Sequence, residues 1–164
     1  MLHYFEEEQR FGQWWIWMAP VTIFLITGYI TIQQLVYGNP VGNNPMADKD
    51  LWIPWLFTLA MFWLIWSVEL ITVIDASGIH LRFRPFIRKH ISWQDIDRIY
   101  LRKYKPIREY GGYGIRLSKR GNAYNIKGNE GIQLELKNGK KLLIGTQRWS
   151  DLEKVISKVQ ELHL

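Results

Sequence analysis

The chain of 164 residues contains no cysteine, so it has no disulfide framework, no thiol nucleophile and no thiolate metal site. It also lacks charge over a long stretch, because no residue between Arg10 and Asp48 carries a formal charge. Basic residues are scarce in the first part, where residues 1–69 hold two Lys/Arg against six Asp/Glu. These absences exclude thiol chemistry and distinguish residues 1–69 from a typical soluble domain.

The rest of the chain has the opposite composition. Residues 70–164 hold nineteen Lys/Arg against nine Asp/Glu, so a first part of −4 is joined to a second part of +10, which gives the total of +6. Seven of the nine tryptophans lie at or before position 66. A change of composition this abrupt predicts a domain boundary near residue 70.

Two apolar runs dominate the first part. Residues 14–36 would form a helix of about 35 Å and residues 51–68 one of about 27 Å, against a hydrocarbon core of about 30 Å. We therefore predict transmembrane helices at 14–36 and 51–70, separated by a Gly-, Asn- and Pro-rich loop at 37–50 and preceded by a short terminus at 1–13. Interfacial anchors are expected at Trp14, Trp15, Trp17, Trp52, Trp55 and Trp66.

A secretory signal peptide fits the first run poorly, because the preceding residues are acidic and no small-residue cleavage site follows. The second alternative is a helix buried in a soluble core, which tryptophan-flanked uncharged runs disfavour. The loop carries only Lys49, whereas Arg82, Arg84, Arg88 and Lys89 follow the second run. The positive-inside rule thus predicts a plasma (bacterial inner) membrane protein with both termini in the cytoplasm.

Beyond residue 70 the apolar period becomes two. Ile79, Leu81 and Phe83 alternate with polar residues, as in a strand with one buried face. Further short strands are expected at 98–104, 113–118, 123–126, 132–136 and 140–144. For the last two, a three-residue loop with Gly139 in the left-handed region sets Glu135 opposite Lys141.

An amphipathic helix is predicted at the end of the chain. Ser150 and Glu153 form a candidate capping box, and one apolar stripe consists of Leu152, Val155, Ile156, Val159 and Leu162. The second part thus reads as an antiparallel β-sandwich or partly open barrel of about seven strands, capped by a C-terminal helix.

That element order resembles the pleckstrin-homology (PH) fold. The sequence is similar to bacterial PH-like domains that follow one or two membrane helices, through Ile91-Ser92-Trp93-Gln94-Asp95-Ile96, Tyr110-Gly111-Gly112-Tyr113-Gly114-Ile115-Arg116, Gly131-Ile132-Gln133-Leu134-Glu135-Leu136 and Lys141-Leu142-Leu143-Ile144-Gly145-Thr146-Gln147. The resemblance implies a cytoplasmic PH-like domain at 71–164 and a binding role. Such families are largely of unassigned function, and the resemblance implies no reaction.

The candidate binding residues are basic. Arg82-Phe83-Arg84 resembles half of the phosphoinositide motif of PH domains, but the lysine on the preceding strand is missing. The basic segment 102–120 interleaves cations with tyrosines and with Gly111, Gly112 and Gly114. The alternative for the first set, with Arg88 and Lys89, is the cytoplasmic positive flank, and the alternative for segment 102–120 is a solvated loop. The predicted lipid- or partner-binding patch consists of Arg82, Arg84, Arg88, Lys89, Arg102, Lys103, Lys105, Arg108 and Arg116.

Signatures of catalysis, metal binding and nucleic-acid binding are weak. The four histidines have no i, i+4 spacing, no serine lies in a Gly-x-Ser-x-Gly elbow, and no Lys-Ser/Thr follows the glycines. We expect no enzyme, no metal site, no cofactor and no nucleic-acid partner. Glu69 is interpreted as a headgroup-level residue, with an ion or proton site as the alternative.

Three hypotheses remain for function. The first is a membrane-anchored scaffold that recruits a protein partner or self-associates, by strand addition at a sheet edge or through the basic loop. The second is a sensor of anionic lipid headgroups. The third is a small accessory subunit of a membrane complex.

Overall fold

The computed structural model describes residues 3–118 and 121–163, and the chain divides into two compact units. Unit 2 runs from Phe11 to Ser67 and contains helices α1 (Trp14–Leu35) and α2 (Trp52–Ser67). Unit 1 combines the N-terminal residues up to Arg10 with the chain from Val68 onward. Its elements are β1 (His3–Arg10), β2 (Glu69–Asp75), β3 (Gly78–Arg84), β4 (Ile87–Ser92), β5 (Ile96–Lys103), α3 (Pro106–Tyr110), β6 (Gly114–Ser118), β7 (Gly121–Asn125), β8 (Glu130–Leu136), β9 (Lys141–Gly145) and α4 (Trp149–His163).

Sheet A is antiparallel and has the order β1-β2-β3-β4. In β3 the predicted alternation is confirmed: Ile79, Leu81 and Phe83 are buried, whereas Arg82 and Arg84 are exposed. The sheet therefore has an apolar inner face and a charged outer face. Burial of a large apolar side chain contributes about 1.5–3 kcal/mol, and this holds the register of the strand.

Sheet B has the order β5-β8-β9-β7-β6. The β8–β9 hairpin has the predicted three-residue loop, with Gly139 at φ 79° and Glu135 paired with Lys141, whose side chains form an ion pair of 2.7 Å. Strand β7 runs parallel to β9, so the expectation of a purely antiparallel domain is wrong. The sheets contact each other through Phe83 and Tyr124, whose ring centroids are 6.4 Å apart.

Strand β1 differs from the sequence prediction, which places residues 1–13 in a short terminus outside the domain. The buried residues of this strand are Phe5, Glu7 and Gln9, so its inner face is mostly polar. Glu7 accepts hydrogen bonds from the Thr146 hydroxyl at 2.6 Å and from the backbone N–H of Gln147 at 2.7 Å. Gln9 donates to the carbonyl of Gly145 at 2.7 Å. Partners about 140 residues away therefore hold this strand.

The two helices of unit 2 pack through aromatic side chains. Phe24 meets Trp55 edge-on at a centroid distance of 5.2 Å, and Trp17 stacks on Phe62 at 6.0 Å. The indole of Trp55 donates to the Thr31 hydroxyl at 3.1 Å. Most other apolar side chains on both helices are exposed, and each of the two runs Trp14–Leu35 and Asp48–Ser67 is long and apolar enough to span a membrane.

Several predicted boundaries differ from the structure. Helix α2 ends at Ser67 rather than near residue 70, because Glu69 already pairs with Arg10 and Arg84 in sheet A. The described residues contain nine strands rather than seven, and α3 lies in the region predicted as a loop. Helix α4 begins at Trp149, so Ser150 lies inside its first turn and is not its N-cap. Leu162, the last member of the predicted apolar stripe, lies outside the described side chains.

Candidate functional site

The outer face of sheet A collects charge in rows, because residues paired across antiparallel strands share a face. One row contains Arg10, Glu69 and Arg84. We call the end of the strands at this row the hairpin end, since the chain leaves sheet A at Arg10 and returns to it at Glu69. The opposite end of the strands, the far end, has the row of Asp75, Gly78 and Ser92.

The row next to the hairpin end places Arg82 directly opposite Arg88. Both side chains are exposed, and among the residues that the structure describes neither guanidinium has an ion-pair or hydrogen-bond partner. Like charges directly opposite on neighbouring strands are destabilising. Ile71, which is paired with Arg82 in the same row, is only 7% exposed although it lies on the outer face. The arrangement leaves two cations free for an external anion.

At the hairpin end itself the charges are paired. Arg10 approaches Glu69 at 2.8 Å and Arg84 approaches it at 3.4 Å, while the Glu69 side chain is 7% exposed. Glu69 is thus an ion-paired residue of a strand. The turn between Arg84 and Ile87 exposes Phe86 to 57%, so an aromatic side chain projects at this end between Arg84 and Arg88.

A histidine pair forms the next row toward the far end. His80 lies opposite His90, and the rings stack at a centroid distance of 4.3 Å. His80 Nε2 is 3.1 Å from Asp75. Burial opposes ionisation of Asp75, but hydrogen bonds from the Ser77 hydroxyl and backbone N–H groups keep its pKa below the ordinary value. The sequence had shown these histidines as scattered, and only the β3–β4 register brings them together.

The nine predicted basic residues do not form one surface. Lys89 pairs with buried Leu81 and lies on the other face of the strand from Arg82, with Nζ 5.2 Å from the ring centroid of Tyr124. The remaining five belong to β5, α3 and β6 of sheet B or to the residues just before α3. The predicted patch therefore divides into an outer-face set of Arg82, Arg84 and Arg88 and a second set on sheet B.

In the second set, Arg102 is fully engaged. It donates to Glu109 at 2.8 Å, to the Tyr110 hydroxyl at 2.9 Å and to Gln133 at 3.0 Å. Burial disfavours the charge of Arg102, yet the hydrogen bond to Glu109 keeps its pKa above the ordinary value. This network fastens α3 to sheet B. Arg102 is thus committed to structure, which the sequence did not reveal.

The other members of the second set differ in their freedom. Lys103 pairs with Glu130 at 3.2 Å, and Arg116 donates to the carbonyl of Tyr113 at 2.9 Å. Lys105 and Arg108 are exposed on either side of Ile107, which is 75% exposed. The loop glycines have positive φ, and Gly111 at φ 74° ends α3 by donating its N–H to the carbonyl of Ile107. Residues 119 and 120 of the basic segment lie outside the described residues.

Beneath α3 lies a small buried cluster. Tyr104 and Tyr110 meet edge-on at 6.1 Å, and Tyr104 accepts a hydrogen bond from the Asn125 amide at 3.0 Å. Burial raises the pKa of Tyr104 to about 12. The burial of Tyr104 and its contacts with Tyr110 and Asn125 indicate a packing role for this residue.

The six predicted interfacial tryptophans fall into two groups. Trp14, Trp15, Trp52 and Trp66 are exposed, whereas Trp17 and Trp55 take part in the packing of α1 on α2.

No group of three or more His, Asp or Glu side chains able to hold a metal ion occurs among residues 3–118 and 121–163. The chain matches no family model, and no curated protein matches it.

Proposed function

We propose that this protein is a membrane-anchored binding module, held in the bacterial inner membrane by α1 and α2, whose sheet A binds anionic lipid headgroups. The observation that carries the proposal is the pair of unpartnered arginines, Arg82 and Arg88, opposite each other on the outer face. Phosphate groups of lipids are the abundant anions beside such an anchor, and each nearby cation contributes about 1 kcal/mol to binding.

Short connections join sheet A to both proposed spans. Only residues 11–13 separate Arg10 from α1, and only Val68 separates α2 from Glu69. The hairpin end of sheet A, with Arg84, Phe86 and the neighbouring Arg82–Arg88 row, is therefore where the chain leaves unit 1 for α1 and enters it again from α2.

The same connectivity supports the proposed topology. Arg10 and Glu69 are partners in one sheet, so the chain must leave and return on one side of the bilayer. Two spans meet this requirement, and both termini then lie on that side. The excess of Lys/Arg in unit 1 favours the cytoplasm. We also propose that unit 1 is a PH-like domain extended by additional strands, which its two sheets and C-terminal helix support.

The lipid proposal is tested with a soluble version in which residues 11–68 are replaced by a short Asn/Gly-rich linker. We expect it to bind phosphatidylcholine vesicles only when they contain phosphatidylglycerol, and to release them at high salt. The double variant Arg82→Gln, Arg88→Gln removes two surface cations. Because each cation contributes about 1 kcal/mol, we expect a loss of about 2 kcal/mol, which corresponds to about 30-fold weaker binding in a flotation assay.

The matched control is Lys137→Gln with Lys140→Gln. It makes the same change of net charge at exposed lysines of the β8–β9 turn. An equal loss of binding in the control would show that total charge, and not the outer face, determines binding. Binding to neutral vesicles that ignores salt would refute the lipid proposal altogether.

A second candidate function is recruitment of a protein partner by strand addition. Two edge strands have backbone carbonyls that are already occupied: Arg148 donates to the Glu6 carbonyl of β1, and Gln160 donates to the Ile99 carbonyl of β5. Strand β4 presents exposed charges, which discourage pairing. Strand β6 is the last strand in the order of sheet B among the described residues, and its Leu117 is 76% exposed. This edge is the favoured site for an added strand.

The partner proposal predicts an effect at Leu117. Leu117→Lys places a charge at the β6 edge and is expected to reduce copurification of a partner, or self-association, about tenfold, since one apolar contact contributes about 1–2 kcal/mol. Purification from mild detergent followed by quantitative mass spectrometry measures this. Tyr100→Lys, another exposed residue on a different strand of sheet B, is the control. Equal recovery with both variants would contradict the β6 site.

A further inference from the structure

We infer that α3 is a second membrane-contacting surface, in which Ile107 inserts at the headgroup boundary while Lys105 and Arg108 bind anionic lipid. The inference rests on the proposed function, because it assumes that unit 1 lies against a bilayer. The surface consists of Lys105, Pro106, Ile107 and Arg108. These residues follow β5 of sheet B, and none of them lies on the outer face of sheet A.

Strand directions place α3 at the hairpin end. Strand β4 runs from Ile87 toward Ser92 at the far end, and a short turn at Trp93–Asp95 leads directly into β5. Strand β5 starts there, where the backbone N–H of Lys137 donates to the carbonyl of Asp95. It ends at Lys103, after eight residues or about 26 Å. Helix α3 begins three residues beyond that end.

Contacts between the two sheets show that β5 ends close to the hairpin end of sheet A. Lys103 pairs with Glu130, and Gly131 pairs with Gly145. The Gly145 carbonyl accepts the hydrogen bond from Gln9, the neighbour of Arg10 at the hairpin end. A Cβ placed on Gly145 would lie 3.1 Å from the Tyr104 hydroxyl, so Tyr104 packs at the same level. The Tyr104 ring in turn contacts Tyr110 of α3.

The chemistry of α3 matches that of the Phe86 turn. Each has a proline followed by an exposed apolar side chain, with cations on both sides: Arg84, Phe86 and Arg88 in the turn, and Lys105, Ile107 and Arg108 in the helix. An apolar tip within a cationic rim fits the boundary between acyl chains and anionic headgroups.

The network beneath α3 keeps this tip in place. Arg102 holds both Glu109 and Tyr110, and Glu109 also accepts a hydrogen bond from the backbone N–H of Lys105 at 2.7 Å. A five-residue helix is too short to be stable alone, so these contacts determine its orientation. Ile107 faces away from them and is presented outward on a fixed support.

The absence of native cysteine makes the test direct. In the full-length protein, Ile107→Cys, Phe86→Cys and Gln94→Cys are each labelled with an environment-sensitive fluorophore and reconstituted into phosphatidylcholine–phosphatidylglycerol vesicles that carry nitroxide lipids. Gln94 is exposed in the turn at the far end and is the reference. We expect quenching at residue 107 to exceed that at residue 94 about twofold or more, because an inserted tip lies about 5–10 Å into the boundary.

The outcomes separate this inference from the proposed function. Quenching at 86 but not at 107 would overturn the role of α3 and leave the function of sheet A standing. Water-like signals at both 86 and 107 would overturn both. Lys105→Gln with Arg108→Gln is expected to return the signal at 107 to the level of residue 94 without changing that at 86. Unchanged quenching at 107 in this variant, or in phosphatidylcholine alone, would refute recognition of anionic lipid by α3.

Discussion

Removal of residues 1–10 is expected to unfold unit 1. Deletion of β1 leaves the hydrogen-bonding edge of β2 without its neighbouring strand and removes Phe5, which contributes about 1.5–3 kcal/mol through burial. It also leaves the Thr146 hydroxyl, the Gln147 N–H and the Gly145 carbonyl without the partners that Glu7 and Gln9 provide. The two hydrogen bonds to the charged Glu7 carboxylate contribute about 1.5–3 kcal/mol each, and the one from Gln9 contributes about 0.5–1.5 kcal/mol.

The sum is on the order of 5 kcal/mol or more, which equals the whole stability of many small domains. A chain of residues 69–164 alone should therefore show no cooperative transition in urea by circular dichroism. The control retains β1, joined to residue 69 by the short Asn/Gly-rich linker, and should remain folded because Arg10 and Glu69 are already paired. Stability of the truncated chain within about 1 kcal/mol of the control would show that β1 is dispensable.

Arg102→Leu is expected to destabilise unit 1 by about 2–4 kcal/mol, since hydrogen bonds to charged groups contribute about 1.5–3 kcal/mol each. The substitution keeps the aliphatic bulk but removes the donors to Glu109, Tyr110 and Gln133. It also leaves the Glu109 carboxylate, which is 19% exposed, without its ion-pair partner and beside an apolar side chain. Urea unfolding of the linked soluble version measures the change.

The effect should be concentrated at α3. Amide exchange of Glu109 and Gly111, which donate to Lys105 and Ile107, should accelerate more than exchange in sheet A. Arg98→Leu is the matched control on the same strand, because Arg98 is 74% exposed and lies 4.0 Å from Asp97. That change should stay within about 0.5 kcal/mol. If both variants lose the same stability, the Arg102 network has no special role.

Patterns that act over short distances were readable from the sequence. The two uncharged runs predicted α1 and α2 because apolar length alone distinguishes such helices. Alternation predicted which residues of β3 are buried, and the position of Gly139 predicted the loop and register of the β8–β9 hairpin. In each case the physical cause lies within a few residues of its effect.

Strand β1 shows why contacts between distant parts of the chain could not be predicted from the sequence. Glu6, Glu7 and Glu8 read as a solvated acidic terminus, since an isolated carboxylate is costly to bury. Glu7 is buried only because Thr146 and Gln147, some 140 residues later, supply donors for its carboxylate. No local pattern encodes that pairing.

The amino-acid order by itself determined two apolar helices, a cationic β-rich unit and the register of its most regular hairpin. Only the tertiary structure decided which cations are free. It set Arg82 opposite Arg88, turned Lys89 to the other face and committed Arg102 to α3. The physical reason is that the freedom of a charge depends on neighbours brought close by strand pairing, and those neighbours are distant along the chain.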